Sequence, residues 1–200
     1  MRKFLILGLW AASVAPGTAV AKVEPNSLFS DLMVLQRGAK LPVWGAADEG
    51  EEVTVSLGGR TASAKTVNGR WMVELAPMQA GGPHVLTIQG SNTIEVKDVL
   101  VGEVWICSGQ SNMQWTVNMS DQPKETTAAA DHPQIRFFSV PRQATPAPLR
   151  SAAAKWEVCS PKTVGEFSAV GYAFGRDLNR DLNVPVGLRS EEHTSELQSP

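Results

Sequence analysis

Between residues 52 and 96 polar and apolar residues alternate in short runs, and each run ends in a turn dipeptide. Glu52 to Leu57 alternates with period two, Gly58 and Gly59 supply a turn, and residues 60–67 read as the returning strand. Asn68 and Gly69 are a strong hairpin signal, because both central residues of a type I′ turn need positive φ. Arg70 to Leu75 alternates again, and residues 85–90 and 93–96 flank Ser91 and Asn92. With two brief apolar runs at residues 33–36 and 41–45, this spacing predicts six or seven short strands. It implies a small antiparallel β-sandwich over residues 22–97. No catalytic constellation falls inside it. Asp31, Asp48, Glu49, Glu51 and Glu52 read as turn and solvated-face charges, and His84, after Gly81, Gly82 and Pro83, reads as a loop residue.

Around Asp98 the texture changes. Residues 99–106 are almost continuously apolar, as in a strand covered on both faces. Residues 121–131 read as a helix or loop with Pro123 near its start, and residues 135–140 as the next strand. A proline-rich connector covers residues 141–148, and residues 156–159 form a short extended piece. Phe167, Val170, Phe174, Leu178 and Leu182 recur at helical spacing, with Ser168 and Thr163 equally good caps. An apolar strand starts again at residues 183–188. Strand, crossover, strand, helix, strand is an α/β pattern, so the expected fold class is all-β followed by α/β.

Bulk composition narrows the function classes without naming a partner. The 200-residue chain is 42% hydrophobic and 19% charged, with a formal net charge of −2. That balance carries no electrostatic footprint for nucleic acid or an anionic membrane. Arg2 and Lys3 precede an apolar stretch at residues 4–14, and Ala19, Val20 and Ala21 make a small-x-small cleavage pattern. The expectation is a signal peptide over residues 1–21, cleavage after Ala21, a secreted or periplasmic chain, and no membrane attachment after cleavage. The apolar run is too short to span a bilayer. In an oxidising compartment Cys107 and Cys159 form the one available disulfide pair, or else remain two buried thiols; both alternatives stay open.

The run at residues 99–106 ends abruptly in Cys107, Ser108, Gly109, Gln110, Ser111 and Asn112. A nucleophilic serine needs an exposed hydroxyl, a base and oxyanion donors. Gly109 lets the backbone turn sharply, and Ser111 sits just past the strand, where the carboxyl end of a sheet opens a cleft. A Gly-x-Ser-Asn sequence is also simply a good turn.

The segments LFSDLMVLQR (residues 28–37), PVWG (42–45), DVLVGEVWICSGQSNM (98–113), FSAVGYAFGR (167–176) and VPVGL (184–188) resemble the bacterial sialate O-acetylesterase family. That family belongs to the SGNH (GDSL-like) hydrolases. The resemblance implies a flavodoxin-like α/β catalytic domain, of which residues 98–188 would be the first part, preceded by the β-rich region. It also implies hydrolysis of O-acetyl groups on sialic acid or related acetylated carbohydrates, without a metal or organic cofactor. Ser111 matches the family's nucleophile, with its backbone N–H in the oxyanion hole. Gly109 would shape the turn, Gln110 and Asn112 would hold the loop by hydrogen bonds, and Ser108 would be a turn residue.

Departures from the family are as informative. There the strand at residues 184–188 runs on into Trp-Gly-Gly-Thr, and a late Asp-x-x-His element supplies the base; neither occurs here. His132 reads as a turn residue before Pro133, and His193 lies in residues 189–200, which resemble the translation of a sequencing-adapter oligonucleotide and are expected to be a non-native tail interrupting the strand after Leu188. The expectation is an N-terminal fragment, inactive by itself, since a serine without a base loses roughly 10³-fold or more of its catalytic power. Two other readings remain: a carbohydrate-binding or structural β-sandwich module with an inert α/β remnant, and an esterase of acetylated plant polysaccharide of the acetylxylan type.

Overall fold

A computed structural model describes residues 22–109, 111–141 and 151–192. Residues 1–21, Gln110, most of the proline-rich connector and His193 therefore lie outside the described residues.

The alternating half of the chain forms β1 (Glu24–Pro25), β2 (Val34–Gln36), β3 (Leu41–Ala46), β4 (Glu52–Leu57), β5 (Arg60–Lys65), β6 (Arg70–Leu75), β7 (Gly81–Gln89) and β8 (Thr93–Gly109). Their apolar positions face one core. Leu41, Val43, Trp71, Val73 and Leu75 come from a three-stranded sheet ordered β1-β3-β6, and Val53, Val55, Leu57, Leu86 and Ile88 from β4 and β7 of a larger sheet. Each buried Leu, Ile or Val removed from water contributes roughly 1.5–3 kcal/mol, which is what holds the two sheets together.

The Asn68-Gly69 turn forms with φ of +54° and +69°, as its residue types require. The strands on either side of it do not make the expected hairpin. Beyond a single bridge between Val67 and Arg70, β5 pairs with β4 while β6 pairs with β3. The turn hands the chain from one sheet to the other, because burying both apolar faces satisfies more surface than extending one ladder. His84 is likewise not a loop residue: it lies in β7, opposite Val99 at an irregular register.

The expected boundary at residues 97 and 98 falls inside one strand. β8 runs for 17 residues, antiparallel to β7 at first and parallel to later strands at its end. Asp98, at φ +53°, does not end the strand, whose pairing with β7 continues to Val101 before β11 takes over at Glu103. Beyond β8 come α1 (Ser111–Gln114), α2 (Pro123–Ala128), β9 (His132–Ser139), β10 (Trp156–Cys159), α3 (Ala169–Leu182) and β11 (Val186–Glu192). The larger sheet is ordered β10-β9-β11-β8-β7-β4-β5, with β9, β11 and the end of β8 parallel. His132 is thus the first residue of β9, not a turn residue.

Helix α3 covers the parallel strands. Ser168 is its cap, its hydroxyl accepting the Gly171 N–H at 3.2 Å, whereas the Thr163 hydroxyl donates to the Val158 carbonyl at 2.6 Å. The fully buried residues of α3 are Gly171, Tyr172 and Gly175; of the apolar stripe read from spacing, only Phe167 and Leu178 pack against the core. Val170, Phe174 and Leu182 are exposed, because glycines let the helix approach β8 and β11 more closely than a stripe of large side chains would allow.

β11 does not stop at Leu188. Arg189, Ser190, Glu191 and Glu192 continue in parallel register with Ile106, Cys107, Ser108 and Gly109. The expected interruption of the strand after Leu188 is corrected on that point.

Candidate active site

The sheet delivers Ser108 and Gly109 to the carboxyl end of β8, and Ser111 and Asn112 open α1 just beyond it. Residues 103–109 of β8 pair with β11 along one edge, from Glu103 opposite Val186 to Gly109 opposite Glu192. Gly109 then turns the chain at φ +157°, a conformation that side-chain-bearing residues rarely adopt, and the neighbouring atom nearest to a would-be Cβ there is the Met113 Cβ at 3.8 Å. Ser111 opens α1 with its side chain exposed, and Asn112 beside it is exposed as well. Ser108, also exposed, precedes the turn as its last polar strand residue.

The segment after Ser111 is pinned to the start of α3. The Trp115 carbonyl accepts the Ala169 N–H at 2.8 Å, the Val117 N–H donates to the Phe167 carbonyl at 3.0 Å, and the Ser168 hydroxyl donates to Met113 Sδ at 3.1 Å. Met113 packs against the cluster formed by Cys107, Phe137, Phe167, Tyr172 and Leu188. Phe137 and Phe167 stack in that cluster with ring centroids 4.1 Å apart. The loop is therefore tied to a packed core through its backbone while its serine faces water.

No described histidine is within reach of Ser111. The strand registers put Ile135, Val186 and Glu103 at one level of the sheet, so His132 lies three residues before that level and Ser111 eight residues after it. At about 3.3 Å per residue the two are roughly 30 Å apart. His132 instead sits beside Tyr172, with ring centroids 6.2 Å apart. His84 belongs to β7, in the other half of the molecule.

Cys107 and Cys159 are both buried free thiols, which corrects the disulfide alternative. They lie on β8 and β10, with β11 and β9 between them. Three strand spacings are roughly 14 Å, about twice the widest Cα separation a disulfide can close. Burial pushes the Cys107 thiol up to about 11 and the Cys159 thiol up to about 12, so neither is poised as a nucleophile. Among the described residues no group of three or more His, Cys, Asp or Glu side chains could hold a metal ion.

The described residues also enclose a groove of about 660 Å³, lined by Phe29, Ser30, Glu95, Trp156 and Thr163 among others. Trp156 and Thr163 place it beside β10, away from Ser111. What sequence reasoning missed near the serine is Trp115: the residue is 51% exposed, and its Nε1–H donates to the Met119 carbonyl at 2.6 Å. The only signal available was an aromatic residue four positions after the serine.

Known proteins match this chain along most of its length. It is 36% identical over 208 residues to a sialate O-acetylesterase of Rattus norvegicus, covering 93% of the chain and 38% of the relative. It is 34% identical over 212 residues to the sialate O-acetylesterase of Homo sapiens, covering 88% of the chain and 40% of the relative. In fold it superposes on the crystal structure of a carbohydrate acetylesterase from Xanthomonas citri with a TM-score of 0.82 and 37% identity. That match covers 86% of this chain and 40% of the other. The chain thus spans about 40% of the length of the relatives it matches. No family model matches it.

Proposed function

The chain belongs to the sialate O-acetylesterase family, and on that premise we propose that it is the part of an exported carbohydrate esterase that carries the nucleophile, Ser111. The substrate is an O-acetylated sugar, sialic acid or a related acetylated glycan. Ser111 Oγ attacks the acetyl carbonyl, the sugar hydroxyl leaves with a proton, and water then releases acetate from the acetyl-enzyme. The Ser111 backbone N–H is offered as an oxyanion donor. Gly109 shapes the turn, and Gln110 and Asn112 brace the loop. Residues 98–188 are assigned to the first strands of a flavodoxin-like SGNH domain, and residues 22–97 to its β-sandwich companion.

One observation carries this reading. Ser111 is exposed two residues after a positive-φ glycine at the carboxyl end of a parallel strand, and its loop is tied by hydrogen bonds to the capped end of α3. The distance to His132 supports the further proposal that these residues alone lack the general base. The 200-residue chain is then expected to hydrolyse acetyl esters negligibly, with or without Ser111→Ala. In the full-length gene product, Ser111→Ala should lower acetate release by roughly 10³-fold or more. Full activity of that variant would sink the assignment. The export proposal is checked separately by N-terminal sequencing of the chain recovered outside the cytoplasm, which should begin at Lys22.

A further inference from the structure

We propose that Trp115 is the platform on which the sugar ring of the acetylated substrate stacks, with Asn118 and Glu166 beside it to receive the ring hydroxyls. The inference rests on the esterase reading of Ser111 and gives that site a carbohydrate subsite. Ser111 and Trp115 are four positions apart, and the Trp115 N–H still bonds back to the Asn112 carbonyl at 3.4 Å, so the turn begun by α1 carries on to the tryptophan. Side chains at that spacing project from one side of a helical turn with Cβ atoms roughly 5–6 Å apart. The indole is then directed onward, over the turn at Val117–Met119, by its bond to the Met119 carbonyl. An acetyl group reaching the serine leaves its sugar about one ring width away, within the reach of a side chain that starts roughly 5–6 Å from Ser111.

The indole is built to keep a face in water. Its one polar group is satisfied by Met119, the backbone carbonyl of Trp115 accepts the Ala169 N–H, and half of the residue's surface remains exposed. An exposed aromatic on a mobile side chain would lose rotamer freedom on binding a ligand; one already anchored loses little. Three residues on, in the turn to which the indole is tied, Asn118 Nδ2 donates to Glu166 Oε1 at 2.8 Å, with both residues exposed. Gly165 keeps that pair close, since a Cβ there would meet the Asn118 amide at 2.8 Å. An apolar aromatic face flanked by an amide and a carboxylate suits a pyranose, which has one C–H face and a rim of hydroxyls.

The experiment titrates the chain with O-acetylated N-acetylneuraminic acid and, separately, with ethyl acetate, following the tryptophan indole N–H resonances by NMR. The Trp115 resonance is the one that Trp115→Phe removes. The acetylated sugar should shift it and ethyl acetate should not. Trp115→Ala should weaken sugar binding roughly tenfold, Trp115→Phe should restore much of it, and Ser111→Ala should bind like the parent. Sugar binding unchanged by Trp115→Ala, or a titration in which the Trp115 resonance does not move, would overturn the platform. Neither result touches the esterase reading, which stands or falls on the serine dependence of acetate release in the full-length gene product.

Discussion

Arg37 Nε donates to Glu103 Oε1 at 2.7 Å, joining the end of β2 to the point where β8 turns from antiparallel to parallel pairing. Gln36 completes the junction: its Nε2 donates to Glu103 Oε2 at 3.3 Å and its Oε1 accepts the Val104 N–H at 2.9 Å. The side-chain amide of Gln36 takes the hydrogen bond that a further residue of β2 would otherwise make. This cluster braces the strand that leads to Ser111.

The Arg37 hydrogen bond holds the Glu103 carboxyl below the ordinary carboxylate range, against the opposing effect of its partial burial. A depressed folded-state value means stability that is present above the unfolded pKa and is lost as pH falls through the folded one. Glu103→Gln should therefore destabilise the chain by about 1–2 kcal/mol near pH 7, and the gap to the parent should close in acid. Urea unfolding of both proteins across that range checks it; a gap that is constant with pH would contradict the ion-pair account.

Two thiols should be countable only after unfolding. Cys107 is 5% exposed and Cys159 0% exposed, with thiol values pushed to about 11 and about 12. At neutral pH the native chain should react slowly with a disulfide-exchange reagent, and the chain unfolded in denaturant without reductant should titrate both thiols at once. Zero thiols in the unfolded chain would mean a bond that the strand order forbids.

Gly175 is where α3 crosses β11, and a Cβ there would collide with Leu188, which is fully buried. Alanine favours a helix by up to about 1 kcal/mol, yet a Leu188 pushed aside must move within a close-packed interior. Gly175→Ala should lose stability by roughly 1–3 kcal/mol, lowering Tm by several degrees in a thermal melt. A rise in Tm would show that the core beneath α3 is looser than the contacts imply.

Ile106 is 58% exposed and Trp105 44%, the latter in an edge-to-face contact with Phe174 at 5.1 Å. Beyond Gly102, β8 pairs with β11 alone, so its other edge has no strand beside it among the described residues. An unpaired edge with exposed apolar side chains invites pairing between chains. Ile106→Lys should raise the soluble yield and reduce concentration-dependent association, as read by light scattering. Equal association of parent and variant would place the contact elsewhere.

Much of the architecture could be read from local chemistry. Period-two alternation located β4 and β6 to the residue, turn dipeptides located their ends, and Ser168 was one of two caps named for α3. The turn after β8 could be read too, because Gly109 and Ser111 break an apolar run where nothing else explains the change. Where the reading failed, the deciding groups were distant in sequence. The apolar stripe of α3 pointed to Val170 and Phe174, but the helix buries Gly171 and Gly175, since Cys107 and Leu188 lie against those positions.

The amino-acid sequence by itself determined the strand periods, the positive-φ turns and the serine at the end of an apolar strand, since each depends on the conformational preferences of neighbouring residues. Only the tertiary structure decided that the Asn68-Gly69 turn changes sheets, that Cys107 and Cys159 stand three strands apart, and that the Trp115 indole is anchored on the Met119 carbonyl. Those outcomes depend on which surfaces are buried against which, and burial is a property of pairs of segments that no local pattern encodes.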